Sequence, residues 1–315
     1  MITFDTIREA HDRVRPHIHH TAVLTNHTIN DRVGAELFFK CENFQKIGAF
    51  KARGGLNAVL QVAERNEGNA VTTHSSGNHA QAVAFAARQV GLPAYIVMPR
   101  TAPAVKKAAV LGYGAEVIEC EPTLEAREAG VQAVIERTGA VLVHPFDDDR
   151  VIAGQATAAK ELIADFGADK PFDTILAPVG GGGLLSGTAL TTYYLSPSTR
   201  VIAGEPEGAA DAVLSFQSGR VEKAPYIKTI ADGLMTSLSE RTLAIIRQHV
   251  SEILTVSDDE IAAAMRLVWE RMKIIIEPSS AVPLAVVLKH TDQFAGQKIG
   301  IIITGGNVDL GKLPF

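Results

Sequence analysis

Short apolar runs alternate with helix-forming segments along almost the whole chain. The runs are rich in β-branched residues and end at glycine, proline or polar turns, which is the pattern of buried strands. The segments between them have helical periodicity, as in GNHAQAVAFAARQVG and in DDEIAAAMRLVWERMK, whose start is acidic and whose end is basic. The pattern predicts nine strands, over residues 35–42, 69–76, 94–99, 116–120, 140–146, 173–180, 200–206, 252–257 and 298–306.

This alternation predicts an α/β fold. Strands that alternate with helices form βαβ units, and such units build parallel sheets that helices cover on both faces. Nine strands are more than one open sheet holds comfortably. We therefore expect two domains, each an open, twisted, mostly parallel sheet flanked by helices.

Composition narrows the class of protein. The 315 residues are 46% hydrophobic and 21% charged, as in a globular protein, and the net charge of −5 gives no field for binding nucleic acid. The N-terminus lacks the apolar core of a signal peptide, and no apolar stretch reaches the length of a membrane span. Cys41 and Cys120 lie in apolar runs, so we expect free buried thiols and a cytoplasmic protein.

Polar or glycine-rich turns follow four of the predicted strands, where open parallel sheets bind their ligands. One of them, PVGGGGLLSG (178–187), places four consecutive glycines between a strand and a helix. Such a segment can turn its backbone N–H groups inward and bind a phosphate at the helix N-terminus. A tight turn is the plainer interpretation, but it rarely needs four glycines, each of which costs backbone entropy.

A dinucleotide is the rival ligand for this loop. Gly181, Gly183 and Gly187 approximate the glycine fingerprint of dinucleotide-binding units, and Glu205 ends the next strand where a ribose-binding acid would fall. The match is imperfect, because Leu184-Leu185-Ser186 displaces the last glycine by one place. The loop alone leaves both a phosphate-bearing cofactor and an NAD-dependent oxidoreductase open.

Two further segments concentrate polar chemistry. HSSGNHA (74–80) combines hydroxyls, an amide and turn N–H groups, which suits a carboxylate and a polar ring substituent, although Ser75 or Ser76 could simply cap the following helix. ENFQKIGAFKARGG (42–55) surrounds Lys51 with small residues in place of strong helix formers. This composition is unusual for a surface helix, and it leaves open whether Lys51 is a reactive amine or a solvated charge.

Six segments together resemble the threonine/serine dehydratase and serine racemase family of fold-type II pyridoxal-phosphate enzymes. They keep the family's order and spacing from about Thr21 to the C-terminus, and they read FQKIGAFKARGGLNAV, HSSGNHAQAVA, VIAGQATAAKEL, PVGGGGLLSG, EPSSAVPLA and ITGGNVDL. The resemblance implies a large cofactor-binding domain from residues 1–48 and 147–315. It implies a small substrate-gripping domain from residues 49–146, with approximate boundaries.

The resemblance also implies how the cofactor, pyridoxal 5'-phosphate, is held. Lys51 is the catalytic lysine that forms a Schiff base with it. Phe50 matches the residue beside the ring, Asn78 the side chain on the 3-oxygen, and Thr304 the hydroxyl facing the pyridine nitrogen. The phosphate falls to Gly180, Gly181, Gly182, Gly183 and Leu184. A neutral hydroxyl at the pyridine nitrogen weakens the electron sink, which favours elimination without excluding racemisation.

Substrate contacts are implied in the same way. Ser75, Ser76 and Asn78 are expected to grip the substrate carboxylate, and Ser76 also matches the hydroxyl opposite the lysine in serine racemases. Arg127 and Ser237 match positions that bracket the substrate. Arg127 is equally well an ordinary helix-surface arginine, and in the pocket it would suit a second carboxylate, as in 3-hydroxyaspartate.

The GEPEGAAD segment matches the family's divalent cation site. Glu205, Asp211 and the backbone carbonyl of Ala209 form a hard-oxygen set suited to Mg²⁺, or to Ca²⁺ or Mn²⁺. A solvated acidic loop is the alternative. One departure from the family is Ala49, which stands where serine is common before Phe-Lys.

The function implied is a pyridoxal-phosphate-dependent ammonia-lyase. It would convert L-serine, L-threonine or a related 3-hydroxy amino acid to a 2-oxo acid and ammonia by α,β-elimination. The alternatives are a serine racemase and a 3-hydroxyaspartate dehydratase, and outside the class an NAD-dependent oxidoreductase or a non-catalytic binding protein. We expect a small amino-acid substrate, no nucleic-acid or membrane partner, and a homodimer.

Overall fold

The computed structural model describes residues 2–102 and 104–315. Its strands are β1 (Val23–Leu24), β2 (Glu36–Cys41), β3 (Val71–His74), β4 (Ala94–Pro99), β5 (Glu116–Cys120), β6 (Val141–Leu142), β7 (Thr174–Pro178), β8 (Arg200–Pro206), β9 (Glu252–Val256) and β10 (Lys298–Ile303). Its helices are α1 (Phe4–Val14), α2 (His27–Val33), α3 (Lys51–Glu64), α4 (Asn78–Val90), α5 (Ala104–Gly112), α6 (Leu124–Thr138), α7 (Asp149–Phe166), α8 (Gly183–Leu195), α9 (Asp211–Ser218), α10 (Glu240–His249), α11 (Asp258–Met272), α12 (Pro278–Lys289) and α13 (Thr291–Phe294).

These strands form two sheets. The larger has the order β1-β2-β10-β7-β8-β9 and the smaller the order β5-β4-β3-β6. Each pairing is parallel except that of β1 with β2. The prediction of an α/β fold with two mostly parallel sheets is confirmed. All nine predicted strands are present, whereas β1 is too short to give a periodic signal.

The central strands of the larger sheet are buried, and helices cover the sheet. Every residue of β7 and of β10 is buried, as expected for central strands covered on both faces. α12, which is buried along most of its length, packs against one face. The strands of the smaller sheet lie between residues 71 and 142, inside the predicted small domain, whose boundaries stay a prediction.

Two glycines let α3 approach α7 closely. A Cβ on Gly154 would lie 2.6 Å from the Cα of Gly54, and a Cβ on Gly54 would lie 2.7 Å from the carbonyl oxygen of Val151. Any larger side chain would push the helices apart. The pair therefore fixes the position of α3, whose first residue is Lys51.

A buried ion network lies beneath the first turn of α3. The guanidinium of Arg53 donates to Glu42 at 2.7 and 2.8 Å and to Glu161 at 2.7 Å through two nitrogens. Lys40 contacts Glu161 at 2.6 Å, and Thr21 donates to Glu42 at 2.6 Å. All of these side chains are buried, and two cations balance two carboxylates. The network joins α3 to β2 and α7.

Two further expectations concern thiols and membranes. Cys41 and Cys120 are free, as predicted, but only Cys41 is fully buried. Among the residues that the structure describes, no helix combines the length and the apolar character that crossing a bilayer requires.

Candidate active site

Lys51 begins α3 with its amine turned into the protein. Its Nζ donates to the carbonyl oxygen of Pro145 at 2.7 Å and lies 5.3 Å from the centre of the Phe50 ring. Burial lowers the pKa of Lys51 to about 8. At pH 7 about one such amine in ten is neutral, against fewer than about one in a thousand for an ordinary lysine. Lys51 is therefore suited to act as a nucleophile and a base.

Three helices begin at this site without a side-chain cap. They are α3, α4 and α8, preceded by Phe50, Gly77 and Gly182 respectively. By contrast, α1, α10 and α11 begin with complete capping boxes. The first N–H groups of a helix have no partner within the helix. At α3 those of Ala52, Arg53 and Gly54 already bond to other acceptors, so the unused donors at the site are those of α4 and α8. An anionic ligand can accept hydrogen bonds from these N–H groups in place of a side-chain cap.

The glycine loop before α8 leaves no room for side chains. A Cβ at Gly181 would overlap the ring of Phe146, and one at Gly182 would lie 2.7 Å from Leu238. Gly182 also has a φ of 86°, which favours glycine. Phe146 directly follows Pro145, the acceptor of the Lys51 amine. The loop therefore brings its N–H groups close to Lys51, in a form suited to a phosphate.

Asn78 is held by two side chains that sequence reasoning missed. Its Nδ2 donates to both oxygens of Glu277, at 3.0 and 3.2 Å, and its Oδ1 accepts from Nδ2 of Asn307 at 2.9 Å. Asn307 also donates to the carbonyl oxygen of Ile47 at 2.8 Å. Burial raises the pKa of Glu277 to about 7. In the sequence, the signal that could have indicated this contact is the glutamate that begins the EPSSA segment.

The main chain of Thr304 bonds to that of Phe50, the residue before Lys51. The Phe50 N–H donates to the carbonyl oxygen of Thr304 at 2.9 Å. The Thr304 hydroxyl lies 2.8 Å from the Ser280 hydroxyl, which also accepts from the Gly305 N–H at 2.8 Å. The main chain of Ala49 bridges to Gly305, and its side chain is fully buried. A serine at Ala49 would bury a hydroxyl at this contact.

The two serines of HSSGNHA differ in their contacts. The Ser75 hydroxyl accepts from the Gly77 N–H at 3.2 Å, which closes a local turn. The Ser76 side chain is half-buried and has no hydrogen-bond partner in the described part of the chain. Its hydroxyl is therefore available to a ligand.

Arg127 and Ser237 are not brought into contact with Lys51. Nε of Arg127 donates to the carbonyl oxygen of Thr123 at 3.2 Å, within its own helix start, and its charge helps to lower the pKa of His74. Ser237 lies beside the carboxylate of Asp211. The structure thus groups Ser237 with the predicted cation site.

Glu205 and Asp211 form a buried acidic pair. The Glu205 oxygens accept from the backbone N–H groups of Ala212 at 2.6 Å and Val213 at 2.9 Å. Burial raises the pKa of Glu205 to about 8 and that of Asp211 to about 6. Oδ2 of Asp211 is buried without a partner in the described chain. These features fit a hard cation, although no cluster of three or more His, Cys, Asp or Glu occurs among the described residues.

Comparison with known proteins identifies the cofactor class. The model of the family described as "Pyridoxal-phosphate dependent enzyme" matches residues 14–305. The chain belongs to this family. The pyridoxal-phosphate family assignment removes the dinucleotide interpretation of the glycine loop, and both oxygens of Glu205 are engaged by α9. The glycine loop, the uncapped helices and the buried Lys51 amine fit the cofactor's phosphate and aldehyde groups.

Relatives of this pyridoxal-phosphate enzyme align over nearly its whole length. A "beta-hydroxyaspartate dehydratase" of Paracoccus denitrificans is 50% identical over 99% of this chain and 98% of its own. The crystal structure of serine racemase from Dictyostelium discoideum is 50% identical, with a TM-score of 0.92, and the match covers 98% of this chain and 99% of that one. A crystal structure of T.th. threonine deaminase is 43% identical, with a TM-score of 0.93, over 98% of this chain and 99% of that one.

Proposed function

We propose that the protein is an ammonia-lyase that removes the β-hydroxyl and the α-amino group from a small 3-hydroxy amino acid, giving a 2-oxo acid and ammonia. The observation that carries the proposal is the Lys51 amine, with its pKa lowered to about 8, beside the glycine loop and the HSSGNH turn. Relatives named as a hydroxyaspartate dehydratase and a threonine deaminase support this reaction class.

Each residue of the site would have a distinct role. Bound pyridoxal phosphate supplies a ring that withdraws electrons from the substrate α-carbon. Lys51 would hold the cofactor covalently and, once freed, take the α-proton as a general base. Residues 180–184 would bind the phosphate, Asn78 the 3-oxygen, and Thr304 the pyridine nitrogen, with Phe50 beside the ring. The unused N–H groups at the start of α4, with the hydroxyls of Ser75 and Ser76, would bind the substrate carboxylate.

Racemisation is the second candidate, and the free hydroxyl of Ser76 favours it. A racemase needs one group that removes the α-proton and another that returns a proton from the opposite face. Lys51 and Ser76 supply two such groups if they flank the substrate. The relative from Dictyostelium discoideum, named serine racemase, supports this activity as well.

A substrate panel tests the proposal. The holoenzyme is incubated with L- and D-serine, L-threonine and both diastereomers of 3-hydroxyaspartate, and 2-oxo acid, ammonia and inverted amino acid are all measured. We expect 2-oxo acid and ammonia in equal amounts from at least one L-3-hydroxy amino acid. Absence of ammonia from the whole panel would refute the lyase proposal.

The Ser76→Ala variant is the informative arm of the same panel. If Ser76 acts on the face opposite Lys51, racemisation falls much more than elimination. Ser75→Ala is the comparison, because it removes a contact to the substrate carboxylate without removing the proposed second proton carrier, so both activities should fall together. Equal retention of both activities in Ser76→Ala would remove Ser76 from the chemistry.

We also propose that Glu205, Asp211 and the carbonyl oxygen of Ala209 bind a divalent cation, with Mg²⁺ as the first candidate. The unpartnered Oδ2 of Asp211 and the two adjacent buried carboxylates support this. Ser237 would then steady Asp211. Its place at the substrate, like that of Arg127, stays a proposal from the resemblance.

Removing the cation is expected to make stability depend on pH. Without metal, burial holds the pKa of Glu205 at about 8, so the folded state binds more protons than the unfolded state above pH 4.5. Stability therefore falls as the pH rises towards 8, by about 3 to 5 kcal/mol. Thermal unfolding of EDTA-treated and Mg²⁺-supplemented protein at several pH values measures this loss.

A cation should abolish this pH-dependent loss, because it favours the ionised carboxylates. Asp211→Asn is expected to weaken the response to Mg²⁺. Glu207→Gln, at an exposed carboxylate near the same turn, should leave the response unchanged. If the unfolding curves with EDTA and with Mg²⁺ are identical, the cation site is refuted and the GEPEGAAD segment is an acidic loop without metal.

We further propose the assembly and location that the resemblance implies. The homodimer would bury some of the large apolar side chains that are exposed in the described chain, such as Phe44, Tyr193, Tyr226 and Ile227. A cytoplasmic location agrees with the free thiols of Cys41 and Cys120. The division into domains 1–48 plus 147–315 and 49–146 agrees with the two separate sheets.

A further inference from the structure

Two histidines lie side by side next to the reactive lysine. β3 pairs with β6 in parallel, with Thr72 opposite Leu142. His74 and His144 each lie two residues after this pair. Their rings are 5.8 Å apart at an angle of 83°. His144 directly precedes Pro145, whose carbonyl oxygen accepts the hydrogen bond from Lys51. We call these two side chains the histidine pair.

The backbone fixes the tautomer of His144. Its Nδ1 accepts from the N–H of Asp147 at 2.8 Å and from the N–H of Phe146 at 3.3 Å. A nitrogen that accepts from an N–H group carries no proton itself, so the ring proton is on Nε2. His144 therefore presents an N–H donor whose direction is set by the loop that follows it.

The donors of the pair are unused within the protein. Over residues 2–102 and 104–315, Nε2 of His144 and both ring nitrogens of His74 have no hydrogen-bond partner. Neither residue belongs to the described polar side chains that are sealed from solvent without a partner. The neighbouring His79 differs, because it is buried and its Nε2 bonds to the carbonyl oxygen of Val143. The histidine pair is thus half-buried and open to a ligand.

The protonation state of the pair suits a ligand that accepts hydrogen bonds. Burial and the charge of Arg127 lower the pKa of His74, while burial, His74 and Lys51 lower that of His144 to about 4. Both rings are therefore neutral at pH 7 and can donate hydrogen bonds. The carboxylates that act on the pair are Glu128, Asp147 and Asp148. Asp147 lies 3.2 Å from Arg241 and Asp148 lies 2.9 Å from Arg150, so both are already compensated.

We propose that the histidine pair binds a second carboxylate, on the β-carbon of the substrate, so that the preferred substrates are 3-hydroxy amino diacids. This inference rests on the proposed ammonia-lyase function and names its substrate class. A substrate that reaches Lys51 displaces water from the adjacent donors. A carboxylate accepts hydrogen bonds from the ring N–H groups of the pair. The hydrogen of serine or the methyl of threonine at the same place leaves these donors unpaired, which costs binding free energy comparable to a lost hydrogen bond.

The test compares substrates in two variants. His144→Asn keeps an acceptor close to the position of Nδ1, which preserves the loop, but removes the Nε2 donor. His74→Asn removes the other ring. For each holoenzyme, kcat/KM is measured with 3-hydroxyaspartate and with L-serine. His249→Asn, remote from Lys51 at the end of α10, is the control.

We expect wild-type enzyme to favour the diacid. Each variant of the pair should lose roughly 10- to 100-fold in kcat/KM for 3-hydroxyaspartate and less than about threefold for serine. Calorimetry gives a readout without turnover: succinate binding should weaken in the variants, while butyrate binding, with one carboxylate, should not change. His74→Asn decides alone if His144→Asn does not fold, because His74 makes no side-chain hydrogen bond to the described residues.

Other outcomes separate the two proposals. If wild-type enzyme releases ammonia from serine or threonine but not from 3-hydroxyaspartate, the lyase function stands and the diacid site is refuted. Equal losses on both substrates in both variants, or unchanged succinate binding, also refute it. If no compound in the panel releases ammonia, the lyase proposal fails, and the diacid inference fails with it.

Discussion

Replacing Lys51 by alanine is expected to abolish the release of ammonia from every 3-hydroxy amino acid that the wild-type protein converts. The variant loses both the covalent attachment of pyridoxal phosphate and the base near the substrate α-carbon. Losses of about 10⁴-fold or more, equivalent to about 5.4 kcal/mol or more in transition-state stabilisation, are expected when such a group is removed. Ammonia release, visible absorbance and borohydride labelling together measure the effect.

Lys46→Ala is the matched control for this experiment. Lys46 lies five positions earlier, in the short helix Lys46–Gly48, and is half-buried like Lys51. The contact with Pro145, which turns the Lys51 amine into the site, belongs to Lys51 and not to Lys46. After borohydride treatment, the labelled peptide should contain Lys51 in wild-type and Lys46→Ala protein alike. A label on Lys46, or full turnover in Lys51→Ala, would contradict the assignment.

Replacing Arg53 by methionine is expected to cost about 3 to 5 kcal/mol of stability, enough to threaten folding. The change leaves the buried carboxylates of Glu42 and Glu161 with Lys40 as the remaining cation of the described network. Burial alone would raise the pKa of Glu161. The hydrogen bonds and charges of Arg53 and Lys40 outweigh burial and hold this pKa at about 2. Urea unfolding followed by circular dichroism measures the loss.

The same network predicts how stability changes in acid. A carboxylate with a lowered pKa stabilises the folded state above about pH 4.5, and this contribution is lost as the pH falls towards 2. The loss should be smaller in Arg53→Met, where Glu161 has one cation fewer. Arg266→Met is the control, since Arg266 pairs with Glu270 on the surface and should cost less than about 1 kcal/mol. Equal losses in the two variants would show that the buried network contributes no more than a surface pair.

Local patterns in the sequence predicted much of the fold. Runs such as KIGIIITGG are apolar along their whole length because their strands are buried on both faces, and β10 occupies the core of that run. The strand over 140–146 was predicted too long, because only Val141 and Leu142 pair in the sheet. The residues after Val143 instead turn into the site, where the backbone bonds to His144 end the regular pairing.

The supporting residues of the site could not be predicted in the same way. Glu277 and Asn78 are 199 positions apart, and no local pattern announces that they meet. Likewise, the partners of Arg53 lie on the turn after β2 and on α7. Such contacts depend on how helices and strands pack across the chain. The motif segments identified the residues close to the cofactor, whose individual roles stay predictions.

The uncapped starts of α4 and α8 limit how this protein can be made more stable. Side-chain caps are among the simplest stabilising substitutions, each worth about 1 kcal/mol. At Gly77 or Gly182, however, a capping side chain would occupy the same N–H groups that we assign to substrate and cofactor. α4 and α8 can gain a permanent cap only by excluding their ligands, so thermostable variants should be sought at other helix ends.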